Sequence, residues 1–265
     1  MLRGAVKRIT SRANPEVKRL HALATSARER RALQLTLLDG VHLVQAALDA
    51  NWPLRELVVS EIGLARGEIA QLLQRLAHVP CVQLTDALFA HVSPVDTPSG
   101  LLAVIDLPAP PAPGPLTESM LVLDGVQDAG NLGSILRTAA AAGVRDVLLT
   151  AGCAQAWSPR ALRAGMGGQF LLRIREQADV AALLQHYPGA ILATGLHAQS
   201  RSVYELDLRG PTAWLFGAEG RGLSPEVAAL ASAGVIIPMP GAVESLNVAA
   251  AAAVCLFEQA RQRRH

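Results

Sequence analysis

Clustered cysteines, long apolar runs, lysines and the standard catalytic motifs are all scarce or missing in this 265-residue chain. Cys81, Cys153 and Cys255 are odd in number, lie far apart and form no CxxC pair. That disfavours a disulfide framework or a zinc ribbon and suits a reducing, cytoplasmic setting. The start, MLRGAVKRIT, has charges but no apolar segment behind it, so no secretory signal is expected. The longest apolar run, Val248–Phe257, is about half of the roughly 20 residues a membrane span needs, so no membrane partner is expected. There is no GxxxxGK[ST], no GxGxxG after the first strand of either part, no HExxH and no GxSxG. A Walker-type nucleotidase, a Rossmann dehydrogenase, a zinc protease and a serine hydrolase are thereby disfavoured. The seven histidines show no ligand spacing, and no metal is expected.

Hydrophobic residues make up 51% and charged residues 17%, which excludes a disordered chain and provides for packed cores. A net charge of +2 excludes a bulk polycation. The sum hides an asymmetry. Residues 1–31 carry nine Lys and Arg against two Asp and Glu, a local charge of +7, and the rest of the chain carries −5. Only Lys7 and Lys18 are lysines, so the basic charge is nearly all arginine.

Five of 16 prolines fall within Pro108–Pro115. Such a stretch cannot supply backbone donors to a ladder, and it marks a linker over 108–117 between an N-terminal part, 1–107, and a C-terminal part, 118–265. The N-terminal part mixes helical and strand signals, with a basic helix opened by Asn14-Pro15 over 15–32, and reads as a small α/β domain. The C-terminal part alternates short apolar strands (120–123, 146–150, 170–174, 190–194, 213–216 and 234–237) with helices, the last at about 246–263. This is the pattern of a parallel α/β sheet covered on both faces, whose ligands bind beyond the carboxyl ends of the strands.

Three polar, glycine- or proline-rich segments follow such strands: Leu123–Gly133, Phe216–Leu223 and Pro238–Asn247. Glycine there lets backbone approach a ligand. Asn131 is expected to cap the helix that follows. The Arg137 side chain, tilting back over Ser134 and Gly133, reaches toward the loop or rests in solvent. Glu219 either serves the site or pairs with Arg221 in a turn. Ser245 is expected to cap the last helix, with Asn247 in its first turn.

These segments, LDGVQDAGNLGSILRTA, LFGAEGRGLS and IPMPGAVESLNVAAAAA, resemble in order and spacing the three motifs of the SpoU (TrmH-like) family of SPOUT methyltransferases. ITSRANPEVKRLHAL, LLDGVHLVQAAL and VDTPSGLLAVI are similar to the substrate-binding domain that precedes the catalytic domain in many members. Ala129 departs from the proline common at its position. The resemblance implies S-adenosylmethionine-dependent 2′-O-methylation of an RNA ribose, with large-subunit rRNA the first choice. The alternatives are a tRNA ribose methyltransferase and a non-catalytic RNA-binding or ribosome-assembly factor. It implies a deep trefoil knot in 118–265, a small ribosomal-protein-like α/β domain before it, and a homodimer. The catalytic positions fall on Asn131, Arg137, Glu219, Ser245 and Asn247. Arg137 would activate the hydroxyl, or stabilise its alkoxide or orient a phosphate that does so; Asn131 would position Arg137 or the ribose. The methyl donor would lie against Thr194, Gly195, Leu215, Phe216, Gly217, Glu219, Gly220, Ile237, Pro238, Met239, Ser245, Leu246 and Asn247. With an RNA substrate, Arg8, Arg12, Lys18 and Arg19 become phosphate contacts.

Overall fold

The computed structural model describes residues 7–195 and 200–264. Its packing divides the chain into two compact units, one of residues up to 109 together with 157–170, the other of 110–156 and 171 onward. The segment 157–170 therefore packs with the N-terminal unit, although it lies in sequence among the C-terminal strands.

The first unit is built on strands β1 (Lys7–Ile9), β2 (Leu35–Asp39), β3 (Leu54–Ser60), β4 (Cys81–Leu84) and β5 (Leu101–Asp106), in the order β1-β4-β3-β5-β2. β1, β4 and β3 run parallel, whereas β5 is antiparallel to β3 and β2. The basic stretch expected as one helix over 15–32 is two, α1 (Pro15–Thr25) and α2 (Ala27–Leu33). Ser26 breaks it with an extended backbone and caps α2, its hydroxyl accepting from the Glu29 amide. Val17, Leu20 and Leu23 pack with Phe89 of a further helix, α6 (Asp86–Val92), while α3 (Val41–Asp49), α4 (Glu61–Leu64) and α5 (Gly67–Arg75) complete the unit. Arginines and glutamates in this stretch mask the switch from one helix to two, because the local propensities on both sides of Ser26 are alike.

The segment 157–170 is held by specific contacts. Helix α8 (Pro159–Gly165) lies against β2, and its Arg163 pairs with the buried Asp39. Thr36 Oγ1 donates to the Trp157 carbonyl at 2.7 Å, and Trp52 stacks on Trp157 with ring centroids 5.4 Å apart. The strand expected at 170–174 is shortened: Gly168–Leu171 forms a 3₁₀ turn, and the strand is confined to Arg173–Arg175.

The second unit has β6 (Met120–Asp124), β7 (Asp146–Leu149), β8 (Arg173–Arg175), β9 (Ala190–Thr194), β10 (Arg201–Ser202), β11 (Thr212–Gly217) and β12 (Ala233–Ile236). Their order is β10-β12-β9-β11-β6-β7-β8, and every pairing is parallel. Helices α7 (Ala129–Ala141), α9 (Val180–Leu184), α10 (Pro225–Ala228) and α11 (Val248–Arg263) connect or close it. β6 is buried along its whole length, as a central strand covered on both faces requires. The proline stretch 108–115 forms neither helix nor strand. No helix among the described residues is long and apolar enough to cross a membrane. Burial pushes the thiols up, to about 11 at Cys81 and about 12 at Cys255, so both stay protonated near neutrality.

One buried amide fastens α11 to the sheet. Gln259 Oε1 accepts from the indole N–H of the fully buried Trp214 at 2.9 Å, and its Nε2 donates to the Leu208 carbonyl at 3.1 Å. Gln259→Ala leaves that indole donor without a partner and opens a cavity. We expect a loss of about 2–3 kcal/mol in a denaturant titration. A loss below about 0.5 kcal/mol, the level of an ordinary surface substitution, would contradict this role.

Candidate active site

Chain order reverses beside β6. β7 and β8 extend the sheet on one side, and β11, β9 and β12 on the other. In a parallel sheet this is the point where loops diverge and leave a crevice at the carboxyl ends. Register pairs Asp124 at the end of β6 with Gly217 at the end of β11. The first and second motif segments thus leave the sheet side by side. On the other side of β11, Thr194 Oγ1 donates to the Leu215 carbonyl at 3.0 Å, and Gly195 N donates to the Val235 carbonyl at 3.1 Å. The third segment leaves β12 just beyond.

The second loop is a tight reversal. Ala218 N donates to the Gly222 carbonyl at 3.0 Å and Gly222 N to the Ala218 carbonyl at 2.9 Å, leaving Glu219, Gly220 and Arg221 at the tip. The closure needs glycine at 217, where a Cβ would meet the Gly222 backbone at 2.1 Å. Gly220 and Gly222 hold φ of +83° and +70°, which side chains disfavour.

The buried Asp124 carboxylate ties the loop to the sheet. One oxygen accepts from Thr150 Oγ1 at 2.9 Å, the other from the Ser224 backbone N–H at 2.7 Å. Asp124 and Thr150 are structural members of the site that sequence reading passed over. The available signal was an acid at one strand's end with a hydroxyl at the end of the neighbouring strand.

The cap of α7 differs from expectation. Asp128, not Asn131, is the N-cap, its carboxylate accepting from the Asn131 N–H at 2.8 Å. Asn131 falls in the first turn, and its side chain is released to join the loops. Its Nδ2 donates to Glu219, and its Oδ1 accepts from Asn247 Nδ2 at 3.0 Å. Asn247, not Ser245, caps α11, its Oδ1 accepting from the Ala249 N–H at 2.9 Å. The cap fixes which end of the Asn247 amide donates. That in turn fixes the Asn131 amide, leaving its N–H to face the Glu219 carboxylate. One residue from each motif is thereby joined: Asn131, Glu219 and Asn247. Glu219 takes Asn131 as its partner and forms no pair with Arg221 among the described residues.

Arg137 lies further along α7, exposed, and forms no ion pair among the described residues. Ser245 and Leu246 are exposed on the third loop with Pro238, while Ile237 and Met239 are half-buried. Outside the strand ladders, residues 237–246 make no backbone–backbone hydrogen bond among the described residues. Leu215 and Phe216 are buried in β11, so a ligand meets them through the strand's end. Of the basic residues in the first unit, Arg8 pairs with Glu61, Arg19 with Glu16 and Glu56, and Arg12 donates to His91, whereas Lys18 is exposed.

Residues 118–257 match the model of the SpoU rRNA Methylase family, and 14–103 match an MRM3-like substrate binding domain. The chain is 35% identical to an uncharacterized tRNA/rRNA methyltransferase of Synechocystis, covering 96% of this chain and 94% of that one. It is 30% identical to the 23S rRNA (guanosine(2553)-2′-O)-methyltransferase RlmP of Bacillus subtilis, over 95% and 98% of the two chains. Among solved structures, the AdoMet-bound rRNA methyltransferase of Sinorhizobium meliloti superposes with a TM-score of 0.80 at 30% identity, over 97% of this chain and 98% of that one.

The amide bridge has a pH signature. Asn131→Asp replaces the donor facing Glu219 with a second carboxylate, and like charge raises the pKa of the introduced acid. The variant's destabilisation is then fully present above that raised pKa and fades as pH falls through it, because a proton restores the donor. Thermal unfolding is expected to show a deficit of about 1 kcal/mol at pH 8 and less at pH 5. A deficit independent of pH would count against the bridge.

Proposed function

Because the chain belongs to the SpoU rRNA methylase family, we propose that it transfers a methyl group from S-adenosylmethionine to a ribose 2′-hydroxyl of large-subunit rRNA. The observation that carries this reading is the amide junction of Asn131, Glu219 and Asn247 at the carboxyl ends of the strands. It brings one side chain of each motif to one point. The residues present fit the donor. Outside the strand ladders, no backbone bond holds 238–246 among the described residues, which suits a polar ring edge, and Val243 and Leu246 expose apolar surface there. Thr194, Gly195, Gly217, Gly220, Ile237, Pro238, Met239 and Ser245, with the ends of Leu215 and Phe216, complete the proposed donor pocket. The trefoil knot belongs to the same proposal.

When bound, the donor supplies an electrophilic methyl on a positively charged sulfur. The chain itself must present the ribose oxygen and manage its proton. A 2′-hydroxyl is a weak acid: negative charge builds on its oxygen as the proton leaves to solvent water, and that charge is spent when the oxygen takes the methyl, whose bond to sulfur would break. Arg137 is uncommitted and permanently cationic, so its role is to stabilise that oxygen rather than to hold the departing proton. The Asn131–Glu219 pair keeps the second loop closed beside the ribose. Asn247 fixes the third loop to the same point.

The N-terminal unit is proposed to bind the RNA. Of the four expected contacts, Lys18 has no side-chain partner among the described residues and Arg12 adds a second, whereas Arg8 and Arg19 face carboxylates. Burial raises the Glu56 carboxyl above its usual range, against the pull of Arg19, so losing Arg19 disturbs folding as well as charge. The protein is proposed to work in the cytoplasm as a homodimer, with the exposed Phe257 of α11 covered by a second copy.

Three measurements check this account. Ribose methylation compared in cells with and without the protein should show one mark missing from large-subunit rRNA. Unchanged rRNA with a missing tRNA mark would favour a tRNA enzyme, and no S-adenosylmethionine binding at millimolar donor would favour a non-catalytic factor. Arg137→Ala should bind donor nearly as the parent does and lose about 100-fold or more in turnover. Full activity in that variant would remove Arg137 from the mechanism. Replacing Arg12 and Lys18 by alanine should weaken RNA binding and make its salt dependence up to about two units less steep. An unchanged slope would place the RNA elsewhere.

A further inference from the structure

A cleft of about 440 Å³ opens on the β6 side of the second loop, at the switch point of the sheet. Its size is that of a small-ligand site. Of the residues assigned to the donor, Glu219 alone also lines this cleft. Glu219 is thus shared between this cleft and the proposed donor pocket, and the Asn131 amide bonds its carboxylate.

The lining divides into flat walls and a few polar groups. Gly125, Gly152 and Gly222 contribute no side chains. A Cβ at Gly152 would come within 3.4 Å of the Gly125 Cα, which measures how closely two of these walls approach. Bare backbone of this kind suits a planar ring. The polar groups are the Gln127 amide, the Arg221 guanidinium and the carboxylates of Asp124 and Glu219. Gln127 and Arg221 are exposed and without hydrogen-bond partners among the described residues. Asp124 and Glu219 accept only, Arg221 donates only, and Gln127 does both.

We propose that this cleft receives the base of the target nucleotide, turned out of its stack, and that Gln127 and Arg221 read its edge. The inference rests on the ribose methyltransferase reading. A ribose drawn into a recess brings its base with it, and a base turned out of its stack needs a slot of its own. A ribose held at Glu219 would stand at the residue that the donor pocket and this cleft share. The polar set favours guanine or uracil. Both present a ring N–H beside a carbonyl, which answers an acceptor next to a donor. Adenine and cytosine turn a ring nitrogen lone pair toward the carboxylates.

Two variants of the full chain test the cleft. Gly152→Val fills it at a position whose backbone is not left-handed. Gln127→Ala removes one reading group from an exposed position. The probe is the large-subunit rRNA carrying the mapped target, with S-adenosylmethionine affinity read by calorimetry. Each folded variant should raise the KM for RNA about tenfold or more while donor affinity stays within about twofold. An unchanged KM in both, or a loss of donor affinity equal to the loss of RNA affinity, overturns the cleft as a base site. If Gly152→Val does not fold, Gln127→Ala decides alone. A mapped adenosine or cytidine target overturns the stated base preference. A parent protein that binds no S-adenosylmethionine overturns the proposal together with the reading beneath it. A parent that methylates RNA, beside variants that do so equally well, overturns the cleft alone.

Discussion

The side-chain amide of Asn131 has a donor end and an acceptor end, and the fold uses each on a different loop. Its N–H faces Glu219 of the second loop, and its carbonyl faces Asn247 of the third. Neither bond is worth more than about 1 kcal/mol at an exposed site. Their importance lies in closure. The amide can satisfy both loops only when all three strand ends are aligned, and a parallel sheet with Asp124 opposite Gly217 provides that alignment. Asp124 secures the second loop from below through Ser224, and the Asn247 cap couples the third loop to α11. Formation of the site is thus linked to formation of the sheet.

Much of this architecture was legible in the sequence because two periodicities are cleanly separated in the C-terminal part. Short apolar strands alternate there with capped helices, and Ser158-Pro159 and Ser224-Pro225 cap helices as their chemistry requires. The caps around the site were misplaced by a few residues. Asp128 and Asn131 are both good cap formers, and local sequence offers no means of choosing between them. The choice is made by Glu219, 88 residues away, which takes the Asn131 amide for itself. The same holds at the last helix, where Ser245 and Asn247 compete and the contact with Asn131 accompanies capping by Asn247. Long-range partners decide such details, and a linear reading does not contain them.

Charge was harder to read than pattern. The basic stretch at the N-terminus is real in composition, but composition does not say which charges are free. Arg8 and Arg19 face carboxylates brought in from β3 and α4, whereas Lys18 faces solvent. Similarly, nothing in the sequence of 157–170 signals its packing with the N-terminal unit. That packing depends on the buried Asp39 and the Trp52 ring, both more than 100 residues earlier.

The central claim is that loops joined by one amide hold a ribose for methylation. The most direct test is transfer of a radiolabelled methyl group from S-adenosylmethionine to large-subunit rRNA by the purified protein, followed by alkaline hydrolysis. A methylated 2′-oxygen cannot attack its neighbouring phosphate. The account therefore predicts that the label is recovered in a single alkali-resistant dinucleotide. Recovery of the label in mononucleotides, as from a methylated base, would contradict it.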